Sequence, residues 1–115
     1  MTWPTEIRVS PARDTLNILF ENDARVSLTA ERLRVNSPSA EVRGHGGMRP
    51  PPVTGKEAVK IVRLEPVGNY AVRIIFDDGH DTGLFVWNYL RDLGENQDAR
   101  FKSYLDELAA KGLTR

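Results

Sequence analysis

The chain contains no cysteine. Its fold can therefore hold no disulfide, and thiolate zinc sites, cysteine-held iron–sulfur clusters and cysteine nucleophiles are excluded as well. With 115 residues, of which 40% are hydrophobic, the chain can build one apolar core but is too short for two. We therefore predict a single domain over residues 1–115 that is stabilised by hydrophobic packing.

Positive and negative side chains balance, with 16 Lys and Arg against 16 Asp and Glu. A chain without net charge has no overall field that attracts nucleic acid, so a nucleic-acid partner is not expected. No apolar run approaches the roughly 18 residues of a membrane-spanning helix, and the first residues lack the basic and apolar regions of a signal peptide. A cytoplasmic location without membrane contact is the expectation.

Three short strands and a helix are predicted in the first third of the chain. Residues 5–10, 15–20 and 24–28 have strand patterns and are separated by turn-forming residues. Thr29 is placed to cap a short helix that runs to Leu33, because its hydroxyl can accept a bond from a first-turn N–H group. Residues 36–58 contain Gly-rich and Pro-rich runs, which predict a long irregular loop.

The second half of the chain predicts three further strands over residues 59–67, 70–76 and 80–85. Gly68-Asn69 is expected to form the first turn, and Asp78-Gly79 is typical of a type I′ hairpin turn. With a two-residue first turn, Arg63 and Glu65 would lie on the apolar face of the middle strand. A longer connection or a β-bulge is therefore required to reset the alternation.

Two helices are predicted to close the chain. Val86, Leu90 and Leu93 have helical spacing, and Gly94 stands where a helix C-cap favours glycine. Asn96 is a candidate N-cap for a last helix over residues 96–111, which Gly112 would end. Its inner stripe would be Phe101, Tyr104, Leu105 and Leu108, packed against the sheet. The prediction is an α+β fold, a mostly antiparallel sheet of hairpins with two or three short helices packed on it.

The densest polar cluster, residues 77–81, has two interpretations. Its carboxylates and imidazole could bind a divalent cation. Alternatively it is a solvated turn in which Asp-Gly serves the backbone alone, and we favour this interpretation for the aspartates. His80 is kept as a candidate contact, although a lone histidine is more often structural than a ligand.

Asp78, His80, Trp87 and His45 are the candidate interaction residues, because tryptophan is enriched at binding sites and His45 lies in a locally basic glycine-rich loop. No catalytic residue is predicted. The chain has no phosphate-binding glycine motif and no nucleophile elbow. Asp81 directly follows His80, so the two side chains would point to opposite faces of a strand and could not join in a facial metal triad.

Two sequence blocks together resemble a known family. The first runs from Leu33 to Gly46 and contains Asn-Ser-Pro-Ser-Ala-Glu-Val-Arg-Gly-His-Gly; the second, within residues 66–91, contains Phe-Asp-Asp-Gly-His-Asp-Thr-Gly and Trp-Asn-Tyr-Leu-Arg. They resemble the gamma-butyrobetaine hydroxylase N-terminal-like domain family, which includes bacterial domains of unknown function. The resemblance covers about residues 5–95.

The resemblance carries an implication for metal binding. In the oxygenases of that name this domain precedes the catalytic domain and holds a structural zinc through three thiolates and the histidine of an Asp-Gly-His turn. Matched residue by residue, the thiolate positions fall on Ser37, Ser39 and Val42, and the histidine falls on His80. The resemblance therefore implies a relic site without zinc and without any other cofactor, in which His80 stays close to the serines.

The matched blocks belong to the N-terminal domain, so hydroxylase activity is not expected. Similar domains also occur fused to P-loop ATPases of the iron–sulfur carrier type. We therefore expect a non-enzymatic binding or accessory module whose protein partner is such an ATPase or another metalloprotein. The alternative is a metal-binding protein in which His80, His45 and the aspartates hold iron or another divalent ion. A small enzyme with Asp/His acid–base chemistry is a third hypothesis.

Overall fold

The structure is a computed structural model that describes residues 3–38 and 52–115. Its elements follow the chain in the order β1 (Pro4–Val9), β2 (Thr15–Phe20), β3 (Arg25–Thr29), α1 (Ala30–Val35), β4 (Ile61–Val67), β5 (Ala71–Phe76), β6 (Gly83–Val86), α2 (Trp87–Glu95) and α3 (Gln97–Ala110). The fold is α+β, as predicted, but the strands within the described residues form two antiparallel three-stranded sheets rather than one. Most of the predicted long loop lies outside the described residues.

The first sheet is an antiparallel meander in the order β1-β2-β3. The alternation in β2 places Leu16, Ile18 and Phe20 in the core, where each is at most 2% exposed. Helix α1 follows β3 directly. Thr29 Oγ1 accepts a 3.2 Å hydrogen bond from the Arg32 N–H, which confirms the predicted N-cap.

The second sheet, β4-β5-β6, resolves the conflict in the predicted strand phase. The connection between β4 and β5 has three residues, since Val67 pairs with Ala71, and the register also shifts between Ile61 and Arg63. The longer connection and the register shift together place Arg63 and Glu65 on the face away from the core. Tyr70, predicted to be a strand residue on the apolar face, instead lies in the turn and is 51% exposed.

The turn after β5 differs from the predicted type I′ hairpin. That turn type needs a positive φ at both central residues, but only Gly79 has one, at 90°, and Asp78 does not. Residues 77–79 form a three-residue connection in which the Phe76 N–H donates to the His80 carbonyl over 3.0 Å. The next strand begins at Gly83 rather than His80, so His80 lies between this turn and β6.

Helix α2 continues through the residue expected to end it. Gly94 lies inside the helix, and a Cβ atom placed on it would be 2.1 Å from Val26 Cγ1 on β3. The prediction of a C-cap at Gly94 was therefore wrong: this glycine permits close approach of α2 to the first sheet. Asn96 flanks both helices, and its side-chain amide donates to the Asp92 carbonyl over 3.0 Å instead of capping α3.

Helix α3 packs against α1 and α2, so the predicted packing of this helix on the second sheet was wrong. Phe101, Tyr104 and Leu108 form a small cluster with Val35 of α1. Leu105, expected in the inner stripe, is 38% exposed. Gly112 ends the helix with a φ of 68°, as predicted.

Both sheets share one apolar core with α1 and α2. It includes Phe20 and Leu28 from the first sheet, Ile74 and Phe85 from the second, and Leu90 from α2, each at most 1% exposed. The turn between β1 and β2 joins the sheets directly, since the Arg13 carbonyl accepts the Ile61 N–H over 2.8 Å. Within the described ranges, no helix is long and apolar enough to cross a membrane.

Candidate functional site

The two sequence blocks meet where the segment after α1 contacts the connection after β5. Ser37 follows Asn36, the C-cap of α1, and its Oγ atom lies 2.9 Å from His80 Nε2. Glycine at position 83 is necessary for this contact, because a Cβ atom there would be 2.2 Å from Ser37 Oγ. The structure thus brings two of the four positions of the predicted relic site into a hydrogen bond.

Asp78 fixes the main chain of the same connection. Its Oδ1 atom accepts the His80 N–H over 3.0 Å. Its Oδ2 atom is paired with Arg34 Nε at 2.8 Å and with Lys56 Nζ at 2.6 Å. One carboxylate therefore links the end of α1, the segment that precedes β4 and the turn that presents His80.

The charge state of Asp78 follows from these contacts. Burial alone would raise its pKa, but the hydrogen bonds from Lys56, the His80 N–H and Arg34, with the positive charge of Arg34, lower the pKa to about 2. The carboxylate is therefore ionised over the neutral pH range. Its charge is neutralised within the cluster rather than left open to a ligand.

The other aspartate of the turn also has a structural contact. Asp77 Oδ1 accepts the Lys60 N–H over 2.9 Å, and the Asp77 N–H donates to the Lys60 carbonyl over 2.9 Å. In the part of the chain that the structure describes, no group of three or more His, Cys, Asp or Glu side chains is arranged to hold a metal ion. Ser39, Val42 and His45 lie outside the described residues.

The donor set does not fit a structural zinc ion. Two ligands of a tetrahedral zinc at bond lengths of about 2.0 Å lie about 3.3 Å apart, whereas Ser37 Oγ and His80 Nε2 are at hydrogen-bond distance. A serine hydroxyl stays protonated near neutral pH and valine offers no donor. His80 would be the single strong ligand among the four matched positions.

Tyr89 supports the site from α2. Its hydroxyl donates to the Asn36 carbonyl over 2.5 Å, directly before Ser37. Burial raises the pKa of Tyr89, so the hydroxyl stays protonated and able to donate. The bond holds the chain that leaves α1 close to α2.

Trp87 lies at the opposite end of β5 from His80. Its indole N–H donates to the Asn69 carbonyl over 3.0 Å, and part of the ring packs on the core. Tyr70 in the same turn is half exposed and its ring lies beside Gly68, where a Cβ atom would be 3.0 Å from it. Among the candidate contact residues that the structure describes, Trp87 therefore lies apart from Asp78 and His80.

Sequence reasoning missed Arg34, Lys56, Gly83 and Tyr89 as members of the site. Arg34 and Lys56 reach Asp78 from distant segments, and no local pattern predicts such an ion pair. Gly83 did carry a signal, because an isolated glycine in a strand often marks the close approach of another group.

This arrangement defines a class of small α+β domain in which two antiparallel meanders share a core and a helix end is tied to a polar turn. The sequence model of the family described as "Gamma-butyrobetaine hydroxylase-like, N-terminal" matches residues 7–91. The chain belongs to this family, which confirms the resemblance. No curated protein matches the chain.

Solved structures share this fold over most or all of the chain. Two NMR solution structures are 44% and 45% identical to this chain, with TM-scores of 0.84 and 0.86. Each match covers 100% of this chain, and the matches cover 86% and 90% of the two solved chains. A crystal structure from Acidithiobacillus ferrooxidans is 41% identical, covers 79% of this chain and 91% of its own, and has a TM-score of 0.65. That protein is described as a DUF971 family member of unknown function.

Proposed function

We propose that the chain is a non-enzymatic binding module that supports the assembly of iron–sulfur or other metalloproteins. The observation that carries the proposal is that the polar side chains of the turn after β5 bind other segments of this same chain. Asp78 is paired with Arg34 and Lys56, and His80 with Ser37. These contacts hold separate segments of the chain together, and this use of the polar side chains favours a structural role over catalysis.

Ser37 and His80 are as close as a catalytic nucleophile and its general base would be. The surroundings of the two side chains nevertheless favour a structural role. Ser37 Oγ occupies the space directly over Gly83, where a Cβ atom would be 2.2 Å away. Asp78, two residues before His80, accepts from the His80 main chain and from two cations. A hydroxyl packed in this way gives a reacting carbonyl little room.

Exposed Tyr70 and half-buried Trp87 support binding. Tyr70 is 51% exposed, and the Trp87 indole is held by the Asn69 carbonyl. Tyrosine and tryptophan are the residue types that contribute most at protein interfaces, and side chains that are already held lose less entropy on binding. The turn at residues 68–70 is therefore the surface at which we place the partner.

The experiment is affinity capture from native extract at low salt, with the wild-type chain and the variants Tyr70→Ser and Lys102→Ser as baits. Lys102 is an exposed residue of α3 and provides the matched control. We expect an iron–sulfur carrier ATPase or another metalloprotein to be captured by the wild type and by the Lys102 variant, and several-fold less by Tyr70→Ser. Recovery of no specific metalloprotein at low salt would contradict the proposal.

A further inference from the structure

The outer face of the first sheet carries polar side chains on all three of its strands. The strand register aligns Arg8 with Asn17 and Asn17 with Ser27 in one row. In the next row, Glu6 pairs with Leu19 and Leu19 with Arg25. These six residues line a shallow cavity of about 180 Å³.

Two hydrogen-bond donors in this cavity have no partner among the described residues. Arg25 makes no hydrogen bond or ion pair there through its guanidinium group, unlike Arg8, which pairs with Glu6. Asn17 accepts from the Ser27 hydroxyl through Oδ1 over 2.5 Å, and this bond fixes the amide with its NH₂ group available. The cavity therefore presents two hydrogen-bond donors that a bound acceptor could use.

The charge of the cavity favours an anion. Glu6 is the single acidic residue among those that line it, and its charge offsets Arg8. Arg25 leaves one positive charge in excess. A guanidinium binds carboxylate and phosphate oxygens with two parallel hydrogen bonds, and the Asn17 amide can supply a third.

We propose that Arg25, Asn17 and Arg8 form a binding site for a single oxyanion group, a carboxylate or a phosphate. The volume supports this ligand class, since sites for drug-sized molecules enclose about 300–1,000 Å³ and this cavity is smaller. The site is separate from the Ser37–His80 contact and independent of the proposed function.

The test is an NMR titration of the ¹⁵N-labelled chain at low ionic strength, because exposed charges are screened by salt. Inorganic phosphate and glutarate are added separately, with sodium chloride at matched ionic strength as the reference. We expect saturable shifts of the amide signals of Asn17, Leu19, Arg25 and Ser27. Saturation by phosphate alone identifies a phosphate site, and saturation by glutarate identifies a carboxylate site.

Two variants test whether Arg25 on the first sheet binds the anion. Arg25→Gln removes the unpaired charge and should weaken binding about tenfold, the effect expected for a charge-assisted bond. Arg63→Gln removes an exposed arginine from the second sheet and should bind as the wild type does. Both positions are exposed, and the dispersion of the spectra checks that each variant folds. Equal affinity of Arg25→Gln, or shifts no larger than those with chloride, would overturn the proposal.

Discussion

Ser37 Oγ and His80 Nε2 lie 2.9 Å apart, although 43 positions separate these residues in the sequence. The contact ties the end of α1 to the connection after β5. The family resemblance placed these two positions in one site, and the structure brings them together without a thiolate at either. A hydrogen bond thus stands where the oxygenases of that name are expected to have a metal ligand pair.

Gly83→Ala should break this contact. The added methyl group would overlap Ser37 Oγ, and we expect a loss of about 1–3 kcal/mol in the free energy of unfolding, measured by urea denaturation. The matched experiment makes the same substitution in a Ser37→Ala background, where the overlap is absent. There the cost should be clearly smaller, because the two residues are in contact. Equal costs in both backgrounds would show that Ser37 does not occupy this position.

Asp78→Asn should change the acid sensitivity of the chain. The folded-state pKa of about 2 lies below the 3.8 of an unperturbed aspartate, so this carboxylate contributes stability above about pH 4 that is lost as the pH falls towards 2. We expect the variant to lose roughly 1 kcal/mol at pH 7, an amount limited by solvent screening.

The measurement for Asp78 is the melting temperature from pH 7 to pH 2. The difference between the wild type and Asp78→Asn should narrow below pH 4, because the wild-type carboxyl group becomes protonated. Asp106→Asn, which removes an exposed charge of α3, is the control and should show little difference at any pH. A constant difference for Asp78→Asn across the range would mean that its ionisation does not stabilise the fold.

Leu108→Ala and Leu105→Ala should differ strongly, although both leucines were expected in the core. Leu108 is 2% exposed, and its truncation should cost about 2–5 kcal/mol. Leu105 is 38% exposed, so its truncation should cost less than about 1 kcal/mol. Urea unfolding measures the loss in the free energy of unfolding for each variant. Similar losses would mean that α3 is rotated about its axis relative to the structure.

Gly94→Ala should reverse the usual effect of alanine in a helix. Alanine favours a helix interior over glycine by about 1 kcal/mol, but here the added Cβ atom would lie 2.1 Å from Val26 Cγ1. We expect destabilisation in the wild-type background and a neutral or stabilising effect in a Val26→Ala background. Thermal unfolding of the four proteins measures the cycle, and stabilisation by Gly94→Ala alone would contradict the close packing of α2 on β3.

Much of the fold could be predicted because the strands have clear alternation and the turns contain glycine. β2 was predicted with its observed limits, Thr15–Phe20. The division into two sheets could not be predicted, because it depends on which strands pair across residues 36–58. The predicted buried face of α3 was wrong at Leu105. A helical stripe shows which side of a helix is apolar, but it does not show how far the neighbouring helices cover that side.

The candidate site was predicted only in part. The family pattern predicted the proximity of Ser37 and His80, since each belongs to one of the matched blocks. The ion pairs of Asp78 with Arg34 and Lys56 were not predicted, because long-range partners leave no local signal. The Asp-Gly pair was assigned to the wrong turn type, since the same dipeptide also suits a three-residue connection that ends on a glycine with positive φ.

Hydrogen bonds and ion pairs hold this site together, and we propose that they do so without a metal. The most direct measurement is the zinc and iron content of the chain purified without a histidine tag, together with its melting temperature with and without a chelator. We predict neither metal in stoichiometric amount and an unchanged melting temperature, because one imidazole cannot replace four ligands. One zinc or iron per chain, or a melting temperature that falls on chelation, would contradict the claim.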